Sequence, residues 1–470
     1  MEGIVAYGAY IPIYRLSREA IGKAWGARGA PGERSMANFD EDSVTMAVEA
    51  ALDCIKGFDR KKIDALFFAS TTFPYKEKQC STLIATAVDL ENEITTSDFG
   101  ATLRAGTGAL KAALASVKSG AAKNVLAVAA DCRIGEPGST DEQNFGDGAA
   151  AFLIGSEGVA AAIEDSYSIS DEITDVWRTD GDPYILSWEG RWVMSQGYTK
   201  HMRQVISGIM KKNNLAAKDF AKAVFYSPDD RSHLGLAREF GFDVKTQVQD
   251  PLLSVVGSTG TAHSPMALVA ALEEAKSGDR LLLASYGDGS DAFILKVTPE
   301  IEKIKDRRGV KGYLSSKLPF PSYAKYCDWR KVLKTSERRS NSSASLLYRD
   351  RPSILRLHAS RCKRCSMTFF PIQRVCFGCG AKDQYEEVRL SDRKGKVFTY
   401  AKDYMVSIGA PNVATVVEMD DGCRAYMVMT DRDPDQVEVG MPVEFTFRHW
   451  NEGAGFHNYF WKCRPLRGGK

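Results

Sequence analysis

Four cysteines in two Cys-x-x-Cys pairs carry the clearest chemistry in this chain. Cys362-Lys363-Arg364-Cys365 and Cys376-Phe377-Gly378-Cys379 lie ten residues apart, a spacing that lets four thiolates close around one metal ion. A closed four-thiolate site leaves no position for substrate, so the reading is a structural Zn²⁺, with a redox disulfide pair as the alternative. The other six cysteines (Cys54, Cys80, Cys132, Cys327, Cys423, Cys463) are scattered without a framework pattern, which is intracellular usage. Cys54 shares a helical spacing with Val44, Ala47 and Ala51 and reads as a small core residue. Two Gly-rich turns, at 100–106 and 257–260, each precede a long helical segment. Free N–H groups at such helix starts can hold an oxyanion or carboxylate; the glycines would equally serve close packing of helix on sheet.

The elements that position these turns show in a comparison of the first three hundred residues with themselves. KIDALFFAS at 62–70 matches FAKAVFYSP at 220–228, and the 100–120 segment matches 257–278, each a turn leading into a helix that ends at Lys-Ser-Gly. NVLAVAAD then pairs with RLLLASYGD, and GDGAAAFLIG at 146–155 with GDGSDAFILKV at 287–297. Apolar runs such as Val125 to Ala130 lack the alternation of half-exposed strands, so the repeat predicts α/β layers with buried sheets. The two halves are expected to meet at their matching turns.

Composition sets outer limits. With 470 residues, 44% hydrophobic and 26% charged, at least two globular domains are expected. Lys and Arg total 62 against 60 Asp and Glu, which gives no field to draw nucleic acid or an anionic membrane. The start, MEGIVAYGAYIPIYRL, lacks a basic region followed by a long apolar one, and a cytoplasmic protein is expected.

The duplicated pattern over roughly residues 1–300 resembles the thiolase superfamily, whose αβαβα fold is built from two such halves. Within it, GIVAYGAYIPIYRL, the DEDSVTMAVEAAL helix and SYGDGSDAF resemble 3-hydroxy-3-methylglutaryl-CoA synthase of the archaeal and bacterial type. The resemblance implies a homodimer and an acyl-CoA substrate, and a cysteine, a histidine and a glutamate as catalytic groups. Here the nucleophile's segment reads Asp98-Phe99-Gly100-Ala101-Thr102-Leu103-Arg104-Ala105-Gly106-Thr107, with Leu103 in the cysteine's place. The histidine's segment reads Phe225-Tyr226-Ser227-Pro228-Asp229, with Tyr226 in its place, and Thr71 stands where the glutamate would be. The second-half turn reads Gly257-Ser258-Thr259.

Leucine cannot be acylated, so a covalent acyl-enzyme at this position is not expected. Aldol or retro-aldol chemistry on a β-hydroxy- or β-ketoacyl-CoA needs only an acid/base and donors for the enolate. Tyr226 is the candidate acid/base, with Arg104, Asp229, Arg231 and His263 as its candidate polar neighbours and Ser258 as an enolate donor. Cys80 and Cys132 do not follow the Gly-rich turn and are poor candidates for a displaced nucleophile. Trp177, Trp188 and Trp192 are candidate pocket residues for a bulky acyl group. This pattern also resembles the thiolase-like aldolases of steroid side-chain degradation, which lack the cysteine and pair with a zinc-ribbon/OB partner.

The chain carries such a module itself. The expected organisation is a thiolase-like domain at 1–298, a linker and docking helix at 299–350, a zinc ribbon at 351–390 and an OB-type β-barrel at 391–470. The resemblance implies that the module assists CoA binding, with Lys363 and Arg364 near phosphates or simply solvated. Tyr400, Phe447, Trp450 and Tyr459 could stack on a single strand, but balanced charge argues against that use. The first expectation is therefore an acyl-CoA lyase or aldolase. A synthase-like acyltransferase is the second, and a scaffold that binds CoA and a partner thiolase without catalysing is the third.

Overall fold

Apolar runs without alternation become the interior strands: Gly3–Tyr10 (β1), Ala65–Ala69 (β2) and Val125–Asp131 (β4) are buried at every position. The computed structural model describes residues 1–333, 342–405 and 411–467. It divides into two compact units, one of residues 1–85 and 90–335, the other of 86–89 and 336–470.

In the first unit these strands join Thr95–Phe99 (β3), Gly148–Gly155 (β5), Ala161–Ser170 (β6), Lys222–Phe225 (β7), Arg280–Tyr286 (β8) and Gly289–Val297 (β9). The hydrogen-bonded order is β7-β8-β9-β6-β1-β5-β4-β2-β3. Strand β2 runs parallel to β3 and β4, and β7 parallel to β8. The first half reads β3-β2-β4-β5-β1, and the second reads β7-β8-β9-β6 with a parallel bridge from Ala223 to Val248 standing where β3 has its partner. Within the sheet the halves join where Gly3 and Ile4 pair with Ala162 and Ala161, and a parallel bridge from Phe145 to Ser258 links them again. Each repeated segment in the sequence is thus a repeated element: β2 with β7, β4 with β8, and β5 with β9.

Helix Ala105–Lys118 (α2) repeats as His263–Glu274 (α4). Helix α4 packs on β7 and β8 of its own half and on β1 and β5 of the other. Ser43–Cys54 (α1), started by an Asp42–Thr45 capping box, covers the outer face of β1, β4 and β5. Lys200–Lys212 (α3) does the same for β6, β8 and β9. The result is the expected duplicated αβαβα fold. Gly106 is required at its centre, because a Cβ there would lie 2.3 Å from the Thr261 carbonyl oxygen at the start of the facing helix.

The segment after Val297, charged and loop-like in sequence, is ordered in the first unit as far as residue 333. The Glu273 carboxylate accepts from Val310 N at 2.5 Å and Lys311 N at 3.3 Å, and Asp53 accepts from Arg308 N and Gly309 N at 2.9 Å each. Leu318–Pro319 adds a parallel strand to Tyr14–Ser17. The aromatic helix Tyr323–Trp329 buries Tyr326 and Cys327 against Leu16, Ile21 and Met36. Residues 334–341 of the expected linker lie outside the described residues.

The second unit holds a three-stranded sheet of His358–Cys362 (β10), Thr368–Phe369 (β11) and Tyr385–Arg389 (β12), ordered β11-β10-β12. Beyond it, Lys394–Asp403 (β13), Asn412–Met419 (β14), Arg424–Met429 (β15), Pro442–Gly453 (β16) and Phe456–Pro465 (β17) close a barrel in the order β13-β14-β15-β17-β16. Strand β14 alternates buried and half-buried positions along its whole length, as a barrel strand must. Phe447 and Tyr459 stack on each other at 5.6 Å, both buried, so these two are barrel packing and not a platform for bases. No described helix is long and apolar enough to cross a membrane.

Candidate active site

Three turns of the first unit surround a cavity of about 200 Å³: the loop after β2, the turn into α2, and the β8–β9 turn at Gly287 and Asp288. A fourth wall comes from the 175–178 segment, including Asp175 and Trp177. The loops leave the carboxyl ends of parallel strands, where open α/β sheets place their ligands.

Asp131, at the end of β4 and fully buried, ties the halves together beside this cavity. One carboxylate oxygen accepts from Thr71 N at 2.7 Å, Ser70 Oγ at 2.9 Å and Thr72 Oγ1 at 3.0 Å; the other accepts from Thr261 N at 2.7 Å. Four donors from both halves satisfy the charge and fix the Thr71 loop. Helix α2 begins at Ala105 with no side-chain cap, so its first-turn N–H groups face the region of Thr102 and Leu103.

Leu103 and Thr71 line the cavity. Tyr226, Ser258 and His263 are gathered just behind its wall and do not line it. The Tyr226 and His263 rings meet edge-on at 5.2 Å. Tyr226 N donates to Ala284 O at 2.8 Å and its carbonyl accepts from the Tyr198 hydroxyl at 3.0 Å. Burial raises the Tyr226 phenol above its ordinary value, outweighing the opposite pull of Arg133 and the Ser258 hydroxyl. That is the reverse of what a base needs, and leaves Tyr226 as a proton donor. Burial, with His233 and the Arg133 charge, pushes His263 down to about 3, so its imidazole is neutral; its Nε2 has no hydrogen-bond partner among the described residues.

The other neighbours proposed for Tyr226 serve elsewhere. Arg104 donates to Ile169 O at 2.9 Å and Ser170 Oγ at 3.0 Å, Asp229 caps a helix through Ser232 N at 2.8 Å, and Arg231 is exposed. Cys80 and Cys132 are off the cavity wall; burial pushes Cys80 up to about 12 and Cys132 well above its ordinary value, so neither is an activated thiolate. Of the three tryptophans only Trp177 lines the cavity; Trp188 and Trp192 are exposed. Sequence reasoning missed Arg133, Asp175 and Thr102, all on the wall. The signal available for Arg133 was its place two residues beyond a buried strand. Asp175 accepts from its neighbour Val176 N at 2.6 Å and from the Tyr286 hydroxyl, far away in sequence.

In the second unit the four cysteine sulfurs of the two pairs lie within 4.8 Å of one another, with Cys362–Cys379 at 3.7 Å and Cys365–Cys376 at 3.4 Å. Four sulfurs on a tetrahedron of radius about 2.3 Å would stand roughly 3.8 Å apart, so the residues fit a Zn²⁺ ion. Arg364 N donates to Cys362 Sγ at 3.4 Å, the kind of backbone contact that steadies a thiolate ligand. The Lys363 and Arg364 side chains are exposed.

The family described as ChsH2, C-terminal OB-fold domain, matches residues 387–448. The chain is 36% identical over 346 residues to hydroxymethylglutaryl-CoA synthase of Methanothermobacter thermautotrophicus, covering 71% of this chain and 99% of that protein. It is 33% identical over 345 residues to the enzyme of that name from Methanocaldococcus jannaschii, covering 71% and 100%. Among solved structures, an HMG-CoA synthase complexed with CoA superposes with TM-score 0.65 at 19% identity, covering 73% of this chain and 93% of that one. The HMG synthase of the curacin biosynthetic pathway, in complex with acetyl donor-ACP, gives 0.64 at 17%, covering 83% and 100%. At these identities the structural likeness is one of fold.

Proposed function

This chain belongs to the hydroxymethylglutaryl-CoA synthase family, and from that premise we propose that it makes or breaks a carbon–carbon bond in an acyl-CoA by aldol or retro-aldol chemistry, without a cysteine acyl-enzyme. The observation that carries this is the cavity wall, where Leu103 stands at the head of α2 and no cysteine is present. In the cleavage direction, the β-hydroxyl gives up its proton and its oxygen becomes the carbonyl of an aldehyde or ketone. The Cα–Cβ bond breaks, and its electron pair moves to the thioester enolate, which is then protonated at carbon. Asp175, a buried carboxylate on the wall, takes the hydroxyl proton; the uncapped N–H groups at the start of α2, beside Thr102 and Leu103 on the wall, hold the enolate oxygen, and Tyr226, held neutral by burial behind the wall, backs them as a proton donor. Ser258 and His263 complete the polar group around Tyr226.

The remaining assignments follow the same reading. The four-cysteine cluster holds one structural Zn²⁺, and Lys363 and Arg364 meet CoA phosphates. The protein works in the cytoplasm as a homodimer, alone or with a thiolase. A second reading, favoured by the position of Tyr226, Ser258 and His263 behind the wall, is a CoA-binding scaffold without catalysis. A third, synthase-like acyl transfer, has the named relatives in its favour and requires a nucleophile other than a thiol.

The test is to incubate the protein with β-hydroxyacyl-CoA thioesters, and separately with acetyl-CoA plus acetoacetyl-CoA, following products by mass spectrometry. Cleavage to a carbonyl compound and a shorter acyl-CoA, lost in Tyr226→Phe, supports the aldolase. Condensation in the second assay would replace it with acyl transfer, and CoA binding without turnover would replace it with the scaffold.

A further inference from the structure

Among the described residues, the β16–β17 hairpin carries a second cluster of side chains with metal-ligating chemistry, separate from the four cysteines. His449, Glu452 and His457 bring one donor atom each within 4.8 Å of the other two. His449 and Glu452 are three residues apart, which on a regular strand puts them on opposite faces. The pairing register shifts between His449 and Asn451, so that His449 stands opposite Tyr459 and Glu452 opposite His457. Trp450 is the extra residue of that bulge, and it turns His449 onto the face that Glu452 and His457 share. The two-residue turn at Ala454 and Gly455, with φ of 54° and 82°, fixes Glu452 and His457 as cross-strand neighbours.

Aromatic packing orients the rings. Tyr459, stacked on Phe447 in the barrel, meets the His449 ring at 5.5 Å and the His457 ring at 6.5 Å, and the two imidazoles meet each other at 5.0 Å. His457 Nδ1 lies 3.1 Å from His449 Nε2 and 3.8 Å from Glu452 Oε1. A hydrogen bond between the two rings accounts for the first distance but not for the second, since at 3.8 Å the carboxylate is too far to share that nitrogen's hydrogen. A common centre accounts for both. Donor atoms about 2.0–2.1 Å from a tetrahedral Zn²⁺ stand roughly 3.3–3.4 Å apart, between the two distances seen. Both histidines are half-buried and Glu452 is exposed, so an ion can reach them.

Two imidazoles and a carboxylate suit a borderline divalent transition ion, whereas Mg²⁺ and Ca²⁺ take oxygen ligands. Three protein ligands leave a fourth position for water or an incoming ligand, which four thiolates do not. The stretch that matches the OB-fold family ends at residue 448, just before His449. We propose that His449, Glu452 and His457 form a second metal site, an open Zn²⁺ site on the barrel hairpin that exchanges its ion more readily than the four-cysteine cluster.

Calorimetric titration of the full, untagged chain with Zn²⁺ tests this, after dialysis has brought its retained zinc to a constant level. The wild type is expected to take up one further Zn²⁺ per chain, and excess Mg²⁺ is expected not to compete. His457→Ala should abolish that uptake. Glu452→Gln, a change at an exposed side chain that leaves the barrel intact, should weaken it about tenfold. No further uptake by the wild type would leave the two rings sharing a hydrogen bond only, and uptake unchanged in either variant would put the ion elsewhere; each result overturns the proposal.

Discussion

Glu273 offers a quantitative check on how the segment after Val297, helical over Gly309–Ser315, is held to the first unit. Its carboxylate, at the end of α4, accepts two backbone N–H groups from that helix, yet burial raises it from 4.5 to about 7. Between those pH values the unfolded chain has released the proton and the folded chain keeps it, so stability falls as pH rises through this window. At about 1.4 kcal/mol per pH unit the full difference is roughly 3 kcal/mol, and solvent at the partly exposed edge of the group brings the expected loss nearer 2 kcal/mol. Glu273→Gln keeps the shape and one acceptor but cannot ionise. Urea unfolding of wild type and Glu273→Gln at pH 5 and pH 8 should therefore show the variant gaining on the wild type by about 2 kcal/mol between the two. Asp53, raised in the same direction by burial, is present in both proteins, and its repulsion of the Glu273 charge acts in the wild type alone and in the same direction. A wild-type-to-variant difference that stays constant with pH would refute the reasoning.

Two further outcomes are expected. Cys365→Ala opens the four-sulfur cluster, and metal analysis of the purified protein should fall from one zinc per chain to none; zinc retained at full stoichiometry would place the ion elsewhere. Leu103→Cys places a thiol on the cavity wall at the uncapped start of α2, where its pKa is lowered, so iodoacetamide should label it faster than the buried Cys80 or Cys132. Labelling no faster than those two would show that the wall is closed to small reagents.

The layers of the first unit were legible because the repeated strands β2, β4, β5, β7, β8 and β9 are short, mostly apolar runs and each repeated helix ends at Lys-Ser-Gly, local signals that survive without knowledge of contacts. The barrel was legible for a similar reason, the alternation along segments such as Asn412–Met419. What stayed hidden depends on distant pairs. The 299–315 stretch is charged and reads as loop, but its order comes from Asp53 and Glu273, far away in sequence, accepting its N–H groups. At the site, motif comparison found Leu103 and Thr71 on the wall. It could not show that Tyr226 lies behind that wall, nor that Asp175 would meet Tyr286, 111 residues on. Arg133 escaped notice because its place on the wall is set by the path of the chain after β4, which no spacing reveals.

The close crossing at Gly106 has a bearing on how such a chain can change its trade. Helices α2 and α4 bring their amino-terminal turns together there, and Asp131 reaches one of them through Thr261 N. The pull that these turns exert on negative charge belongs to the peptide backbone, and exchanging a cysteine for a leucine leaves it in place. Mutation at the nucleophile's position can retire a reaction without dismantling the reception of its substrates. A duplicated chain of this kind can therefore lose one chemistry and still start the next with binding already in hand.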